Sequence, residues 1–121
     1  MDVPEPLVGS VIRYAFLWRR EAALEQKEGE KDRPCAIVVA AKIEKGTHTV
    51  IVLPVTHTPP RDANLAVEIP AKTKKRLGLD AARSWIVLTD ANRFLWPSPD
   101  LRFAIKGNAA SVVYGVLPQT L

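Results

Sequence analysis

The sequence holds little that would suit a secreted or membrane-bound protein. Among its 121 residues there is one cysteine, Cys35, which can form no internal disulfide and therefore favours a reducing, intracellular compartment. No apolar run approaches the ~18 residues that a membrane-spanning helix needs. The opening stretch MDVPEPLVGS carries two acids and two prolines but no cation, unlike a secretory signal. We therefore expect a soluble, cytoplasmic protein with no membrane partner.

The familiar catalytic motifs are missing as well. The sequence contains no G-x-S-x-G, P-loop or G-x-G-x-x-G pattern, so no motif indicates acyl transfer or the binding of nucleotide phosphates. The two histidines, His48 and His57, are nine residues apart on one predicted strand, and the single cysteine lies in an apolar run. This is a poor set of metal ligands, and we expect neither a metal nor a cofactor.

Positive charge is in excess. Seventeen Lys and Arg residues stand against thirteen Asp and Glu, which gives a net charge of +4 and a pI near 9.5. A small basic protein attracts polyanions, so nucleic acid and acidic proteins are both reasonable partners. The apolar content of 47% predicts a single domain, residues 1–121, with one core.

Short β-type segments with turn residues at roughly ten-residue spacing predict a mainly β fold, a small antiparallel barrel with short helices. The predicted strands are 9–18, 35–41, 47–58, 65–69, 84–94 and 111–117, with a further edge strand at 101–105. Gly46 suits a hairpin turn, and a short helix is expected between Pro70 and a C-cap at Gly78. Residues 19–32 read as a long exposed connection with two helical turns around 21–27.

The stretch KDRPCAIVVA, residues 31–40, contains a candidate functional residue. Pro34 cannot donate a ladder hydrogen bond, so it is expected at the first strand position, with Arg33 exposed just outside the strand. Because 35–41 is apolar throughout, this strand is expected to be buried on both faces. A solvated strand end would account for Arg33 equally well.

Other polar side chains follow the predicted strands. They are Thr56, His57, Asp90, Asn92 and Arg93. Each also has a structural explanation as a turn former, a surface group or an ion-pair partner. The cationic cluster KTKKR at 72–76 is interpreted as a solvated helix face. Trp85 is expected in the core, whereas Trp18 and Trp96 flank loops and could stack on nucleic-acid bases.

In order, four blocks resemble the MazF/PemK toxins of bacterial toxin–antitoxin pairs. The blocks are GSVIRYAF, EGEKDRPCAIVVA with its Glu-x-x-x-x-Arg-Pro, VIVLPVTHT with its Pro-x-Thr, and AVEI followed by SWIVLTDANRF. They cover roughly residues 9 to 95. The resemblance implies an SH3-like barrel of the MazF/PemK/CcdB type, usually a homodimer, that cuts single-stranded RNA without a metal ion. It also implies a cognate antitoxin with an acidic, partly disordered tail.

The resemblance assigns roles to particular residues. Arg33 and Thr56 match the usual catalytic pair, and Asp90 falls where some members carry a catalytic aspartate. Arg33 suits stabilisation of phosphorane charge because its fork matches two phosphate oxygens and stays charged, and Thr56 can donate its hydroxyl. If a general base is needed, His57 and Asp90 are both candidates. The expected RNA contacts are Lys31, Thr58, Asn92, Arg93 and Trp18.

The sequence departs from the family near its end. Members end in a helix that packs on the barrel, whereas here YGVLPQTL reaches Pro118 and the sequence stops at Leu121, so we expect this helix to be lacking. Two other functions stay open. One is a non-catalytic relative that grips a protein target, as gyrase-poisoning toxins of this fold do. The other is an SH3-like interaction module that binds a peptide or nucleic acid through Trp18 and Trp96.

Overall fold

The computed structural model describes residues 3–16 and 32–118. Its strands are β1 (Ser10–Ala15), β2 (Asp32–Glu44), β3 (Thr47–Thr56), β4 (Ala66–Glu68), β5 (Trp85–Val87), β6 (Asn92–Trp96) and β7 (Val113–Val116). One α-helix, α1 (Ala71–Leu77), and two 3-10 turns at Ala63–Leu65 and Ala109–Val112 complete the described elements. The predicted helical turns at 21–27, and the expected RNA contacts Trp18 and Lys31, lie outside the described residues. Within the described ranges, no helix is both long and apolar enough to cross a membrane.

The described strands form one antiparallel sheet, which confirms the mainly β prediction. The strand order is β4-β5-β3-β2-β1-β7, and β6 also pairs with β3. Strand β3 therefore has β2 along one edge, while β6 and then β5 follow each other along the opposite edge. The sheet bends round its apolar face as a small barrel-like fold.

The core follows from alternation along the strands. In β3, inward-facing residues are buried at every second position from His48 to Pro54. The main cluster of buried side chains comprises Ile12, Tyr14, Phe16, Cys35, Ile37, Val50, Val52, Trp96, Leu101 and Val112. A smaller cluster contains Ala36, Val55, Ile69 and Ile86, and brings the segment before α1 against the end of β3.

Strand β2 differs from its prediction at both ends. It begins at Asp32, so Arg33 lies within the strand rather than just outside it. Pro34 is tolerated there because the ladder with β3 starts only at Cys35, one residue later. Beyond Ile37 the register shifts, and Val38 and Val39 are 40% and 41% exposed. The expectation of burial on both faces is therefore wrong for the second half of the strand, because an irregularity in the ladder re-aims the side chains.

The single strand predicted at 84–94 is also wrong. The chain turns at 88–91 and forms two strands, of which β5 pairs with the last residues of β3 and β6 pairs with its first half. The edge strand predicted at 101–105 is reduced to one isolated bridge between Leu101 and Tyr14.

Two of the tryptophans lie within the described residues, and both are buried. Trp85 belongs to the interior, as expected. Trp96 is only 3% exposed, and its indole Nε1 donates a hydrogen bond to the Pro4 carbonyl oxygen at 3.0 Å. It also stacks on Phe94. The expectation that Trp96 offers a stacking surface is therefore wrong.

Helix α1 lies where the sequence predicts it, and a glycine C-cap and two contacts with β7 fix its end. Gly78 adopts the left-handed conformation at the C-cap, with φ of 74°. Arg76 Nη2 donates to the Val116 carbonyl oxygen at 2.6 Å. The Leu77 side chain packs so closely on β7 that a Cβ atom added at Gly115 would overlap it. The missing side chain of Gly115 thus lets α1 approach the sheet.

We expect Gly115→Ala to lower the free energy of unfolding by about 1–3 kcal/mol, because the methyl group overlaps Leu77 and because residue 115 has a φ of 153° that other residues rarely adopt. Leu77→Ala alone should cost about 2–5 kcal/mol, because it empties a buried site. The double variant should be less destabilised than the two changes summed, because the added methyl group then has room. Urea titration followed by circular dichroism measures all three, and additive effects would show that Leu77 does not constrain Gly115.

Candidate functional site

A cavity of about 540 Å³ opens at the end of the sheet where β2 begins and β3 ends. Five parts of the chain supply its polar lining. They are Arg13 from β1, Arg33 from β2, Thr56, His57 and Thr58 at the end of β3, Lys74, Asp80 and Ser84 from α1 and the loop after it, and Tyr114 from β7. Three of these side chains are cations and one is a carboxylate, so the cavity attracts anions.

The antiparallel hairpin of β2 and β3 brings Arg33 and Thr56 together. Cys35 pairs with Pro54, Arg33 lies two residues before the first, and Thr56 lies two residues after the second. Continuing this register places Arg33 beside Thr56 on neighbouring strands. Four of the residues predicted to form a site, these two with His57 and Thr58, line the same cavity.

Three other predicted site residues lie elsewhere. Asp90 is in the turn between β5 and β6, whereas Asn92 and Arg93 begin β6. Strand β6 pairs with the first half of β3, where Asn92 faces Val52 in the register. None of the three lines the cavity. The chain turn that divides the predicted strand 84–94 is the reason for this separation.

Lys74 is a buried cation that the sequence did not single out. Its side chain is 4% exposed, so the interpretation of the cluster 72–76 as a solvated face is wrong at this position. The ammonium donates to Asp80 Oδ1 at 2.6 Å, to Ser84 Oγ and to the Ala82 carbonyl oxygen. All three of its donors are thus used, and together they hold the loop after α1 against the cavity.

Asp80 links this buried lysine to His57. Its second carboxylate oxygen, Oδ2, lies 2.8 Å from His57 Nε2. The hydrogen bond from Lys74 holds the pKa of the Asp80 carboxyl below its usual value, so the group is ionised at neutral pH. A carboxylate beside Nε2 favours the imidazole tautomer with its proton on that nitrogen, which leaves Nδ1 as the acceptor. Neither Lys74 nor Asp80 was predicted as a site residue.

Arg13 and Tyr114 form a second unpredicted pair in the cavity. Arg13 Nη1 donates to the Tyr114 hydroxyl oxygen at 2.6 Å, and the guanidinium carbon lies 3.9 Å from the centroid of the ring. The two residues are 101 positions apart and meet because β1 pairs with β7. Only the pairing of β1 with β7 identifies Arg13 and Tyr114 as neighbours, and the local sequence does not encode that pairing.

Cys35 lies beneath Arg33 but takes no part in the cavity. Its Sγ donates a weak hydrogen bond to the Arg33 carbonyl oxygen at 3.6 Å. Burial raises the pKa of the thiol far above its usual value, and the nearby Arg33 offsets only part of this effect. Cys35 therefore stays a neutral thiol and supports the backbone of Arg33.

Comparison with known proteins gives one match. A family model described as PemK-like, MazF-like toxin of type II toxin-antitoxin system matches residues 19–94. The matched range includes Arg33, Thr56, His57, Lys74 and Asp80, but neither Arg13 nor Tyr114. No curated protein and no solved structure matches the chain.

The lowered pKa of Asp80 predicts how its contribution to stability depends on pH. Because the folded-state pKa lies below the usual value of 3.8, the carboxylate stabilises the fold above that pH, and this contribution is lost as the pH falls through the folded value. Asp80→Asn should therefore lower the urea midpoint at neutral pH, and the gap to wild type should shrink below pH 3.8.

Glu44→Gln, an exposed change on the β2–β3 hairpin, controls for the loss of one negative charge. A gap between Asp80→Asn and wild type that stays constant with pH would show that the ionised carboxylate is not what stabilises this loop.

Proposed function

The chain belongs to the PemK-like, MazF-like family of toxins of type II toxin–antitoxin systems, and from this premise we propose that it is an endoribonuclease that cleaves single-stranded RNA without a metal ion. Membership also gives it a cognate antitoxin as partner. The observation that carries the proposal is the cavity in which Arg33 and Thr56, from neighbouring strands, line the same cationic surface. Cleavage of messenger RNA at a short sequence would stop translation and growth.

In the proposed reaction, the ribose 2′-oxygen attacks the adjacent phosphorus, and the bond from phosphorus to the 5′-oxygen breaks. The products are a 2′,3′-cyclic phosphate and a free 5′-hydroxyl. Arg33 faces the non-bridging oxygens with its planar fork and stabilises the charge that grows on them in the transition state. Thr56 donates its hydroxyl to the same phosphate. Neither side chain suits the role of base, since the guanidinium stays protonated and a hydroxyl is a weak proton acceptor.

We assign the general base to His57 rather than Asp90, because His57 lines the cavity and Asp90 does not. Asp80 accepts from Nε2 and so presents Nδ1 to take the proton of the 2′-hydroxyl. The His57 side chain is 60% exposed, and the proton can return to the leaving 5′-oxygen through solvent. Asn92 and Arg93 stay predictions for RNA contacts outside this cavity, and Lys31 and Trp18 stay predictions for RNA contacts.

The proposed partners fit the same surface. An acidic antitoxin tail would compete with RNA for the cavity. Asp80, the one carboxylate among the cavity's described residues, is already shared by Lys74 and His57 and leaves Arg13 and Arg33 to attract anions. We also propose a homodimer of single domains. Leu7, Val8 and Val116 are exposed apolar side chains along one groove of the sheet, and apolar surface of this kind marks interaction sites.

Purified protein should cleave single-stranded RNA in excess EDTA, because the catalytic groups proposed here are an arginine, a threonine and a histidine. Gel analysis of a labelled transcript, with mapping of the new 5′-ends, measures cleavage. The ends should carry a hydroxyl and resist ligation until phosphorylated. Activity that appears only on addition of a divalent ion would contradict the mechanism.

Arg33→Ala should lower the rate of RNA cleavage about 100- to 1,000-fold, the usual effect of removing a donor that stabilises transition-state charge. Arg33→Lys should recover only part of the rate, because an ammonium keeps the charge but not the fork. Lys45→Ala, at the opposite end of the β2–β3 hairpin, is the matched control and should cleave as wild type does.

Circular dichroism melts of each variant establish that the barrel is folded. Growth of cells on induced expression gives a second readout. If folded Arg33→Ala stays toxic and neither it nor the wild-type protein cuts RNA, the protein is a non-catalytic binder of a protein target, and the nuclease proposal fails.

A further inference from the structure

We propose that Arg13 and Tyr114 form a binding subsite for an RNA phosphate next to the one that is cleaved, an inference that rests on the proposed nuclease function. Arg13 pairs with Pro34 in the register of β1 and β2, one position from Arg33. The three strands β3, β2 and β1 are consecutive in the sheet. Thr56, Arg33 and Arg13 thus come from successive strands and line the same cavity, although Arg13, opposite Pro34, leaves the sheet on the other face from Arg33.

This arrangement separates Arg13 from the reacting centre. Thr56 and Arg33 share one strand pair, and Arg13 stands on the far side of β2 from Thr56. A polynucleotide that follows the cavity round the ends of these strands would place one phosphate over Arg33 and Thr56 and present its neighbour to Arg13. Arg13 would then bind substrate and transition state equally, because the charge on the neighbouring phosphate does not change during the reaction.

The charge of Arg13 is not compensated by any carboxylate whose side chain the structure describes, a set that does not include Asp32. Asp80, the one carboxylate among the described residues of the cavity, is bonded to Lys74 and His57. The Nε of Arg13 is buried without a hydrogen-bond partner among the described residues, which is unfavourable for a group with a purely structural role. An anion in the cavity would supply the missing countercharge.

Tyr114 holds the guanidinium in place for this task. The ring lies under the cation, 3.9 Å from its carbon, and the hydroxyl accepts from Nη1. A stacked and hydrogen-bonded arginine loses less side-chain freedom when a phosphate binds, which strengthens binding. The other N–H groups of the Arg13 guanidinium remain to donate to phosphate oxygens. The planar group matches the positions of two such oxygens.

Variants of this subsite should change the KM for RNA and leave kcat nearly unchanged. Arg13→Gln should raise KM about tenfold, the effect of losing a charge-assisted hydrogen bond, and leave kcat within about twofold. Tyr114→Phe removes one hydroxyl and keeps the ring, so we expect a rise in KM of about threefold. Arg33→Ala, by contrast, should act mainly on kcat.

Salt dependence of binding provides the second measurement. The probe is a short single-stranded RNA of the sequence mapped from cleaved transcripts, with hydrogen in place of the 2′-hydroxyl at the cleaved position, so that it binds and is not cut. The slope of log affinity against log salt should be smaller by about 0.7 for Arg13→Gln than for wild type, the value for one lost phosphate contact on a single strand. Lys45→Gln removes the same charge at the far end of the hairpin and should leave the slope unchanged.

The outcomes separate this inference from the function on which it rests. Wild-type protein that neither binds nor cuts RNA overturns the nuclease proposal itself. Wild-type activity with an unchanged KM and salt slope in Arg13→Gln overturns the subsite alone, as does a fall in kcat at constant KM. Should Arg13→Gln fail to fold in a circular dichroism melt, Tyr114→Phe decides, and its unchanged KM would also overturn the subsite.

Discussion

Strand β3 has two edges, and three other strands are hydrogen-bonded to them. Strand β2 occupies one edge, and β6 and β5 divide the other. Because side chains alternate along a strand, a slip of one residue between β2 and β3 would turn Thr56 to the other face and move it away from Arg33. The buried positions of β3, from His48 to Pro54, oppose such a slip, since it would expose the core. The geometry of the cavity thus depends on the packing at the opposite end of the same strand.

Features that depend on neighbouring residues could be predicted from the sequence. Gly46 between two apolar segments indicates a hairpin, and a hairpin brings the start of one strand beside the end of the other, where Arg33 and Thr56 lie. Pro70 and Gly78 bound α1 for local conformational reasons. The prediction of one strand at 84–94 was wrong because the turn at 88–91 contains no glycine or proline to mark it. The separation of β5 and β6 follows from pairing with different parts of β3, which no short window records.

The remaining site residues depend on contacts between distant segments. In the cluster 72–76 every residue but one is cationic, and charge alone does not distinguish Lys74, which points inward to Asp80. The loop after α1 must return to the cavity before that contact exists. Likewise, Arg13 resembles any polar position on a strand until β7 brings Tyr114 beneath it. Lys74 and Arg13 make their contacts only when distant segments of the chain come together, so composition and spacing could not reveal their roles.

The burial of Cys35 has a practical consequence for work on this protein. It is the one cysteine in the sequence, it is fully enclosed, and its thiol has little thiolate to react with maleimides or iodoacetamide. A cysteine introduced on the exposed β2–β3 hairpin would therefore be labelled selectively in the native state, without first replacing Cys35. Fluorescent dyes or spin labels attached there would report on the protein while its strand beneath Arg33 keeps the natural residue.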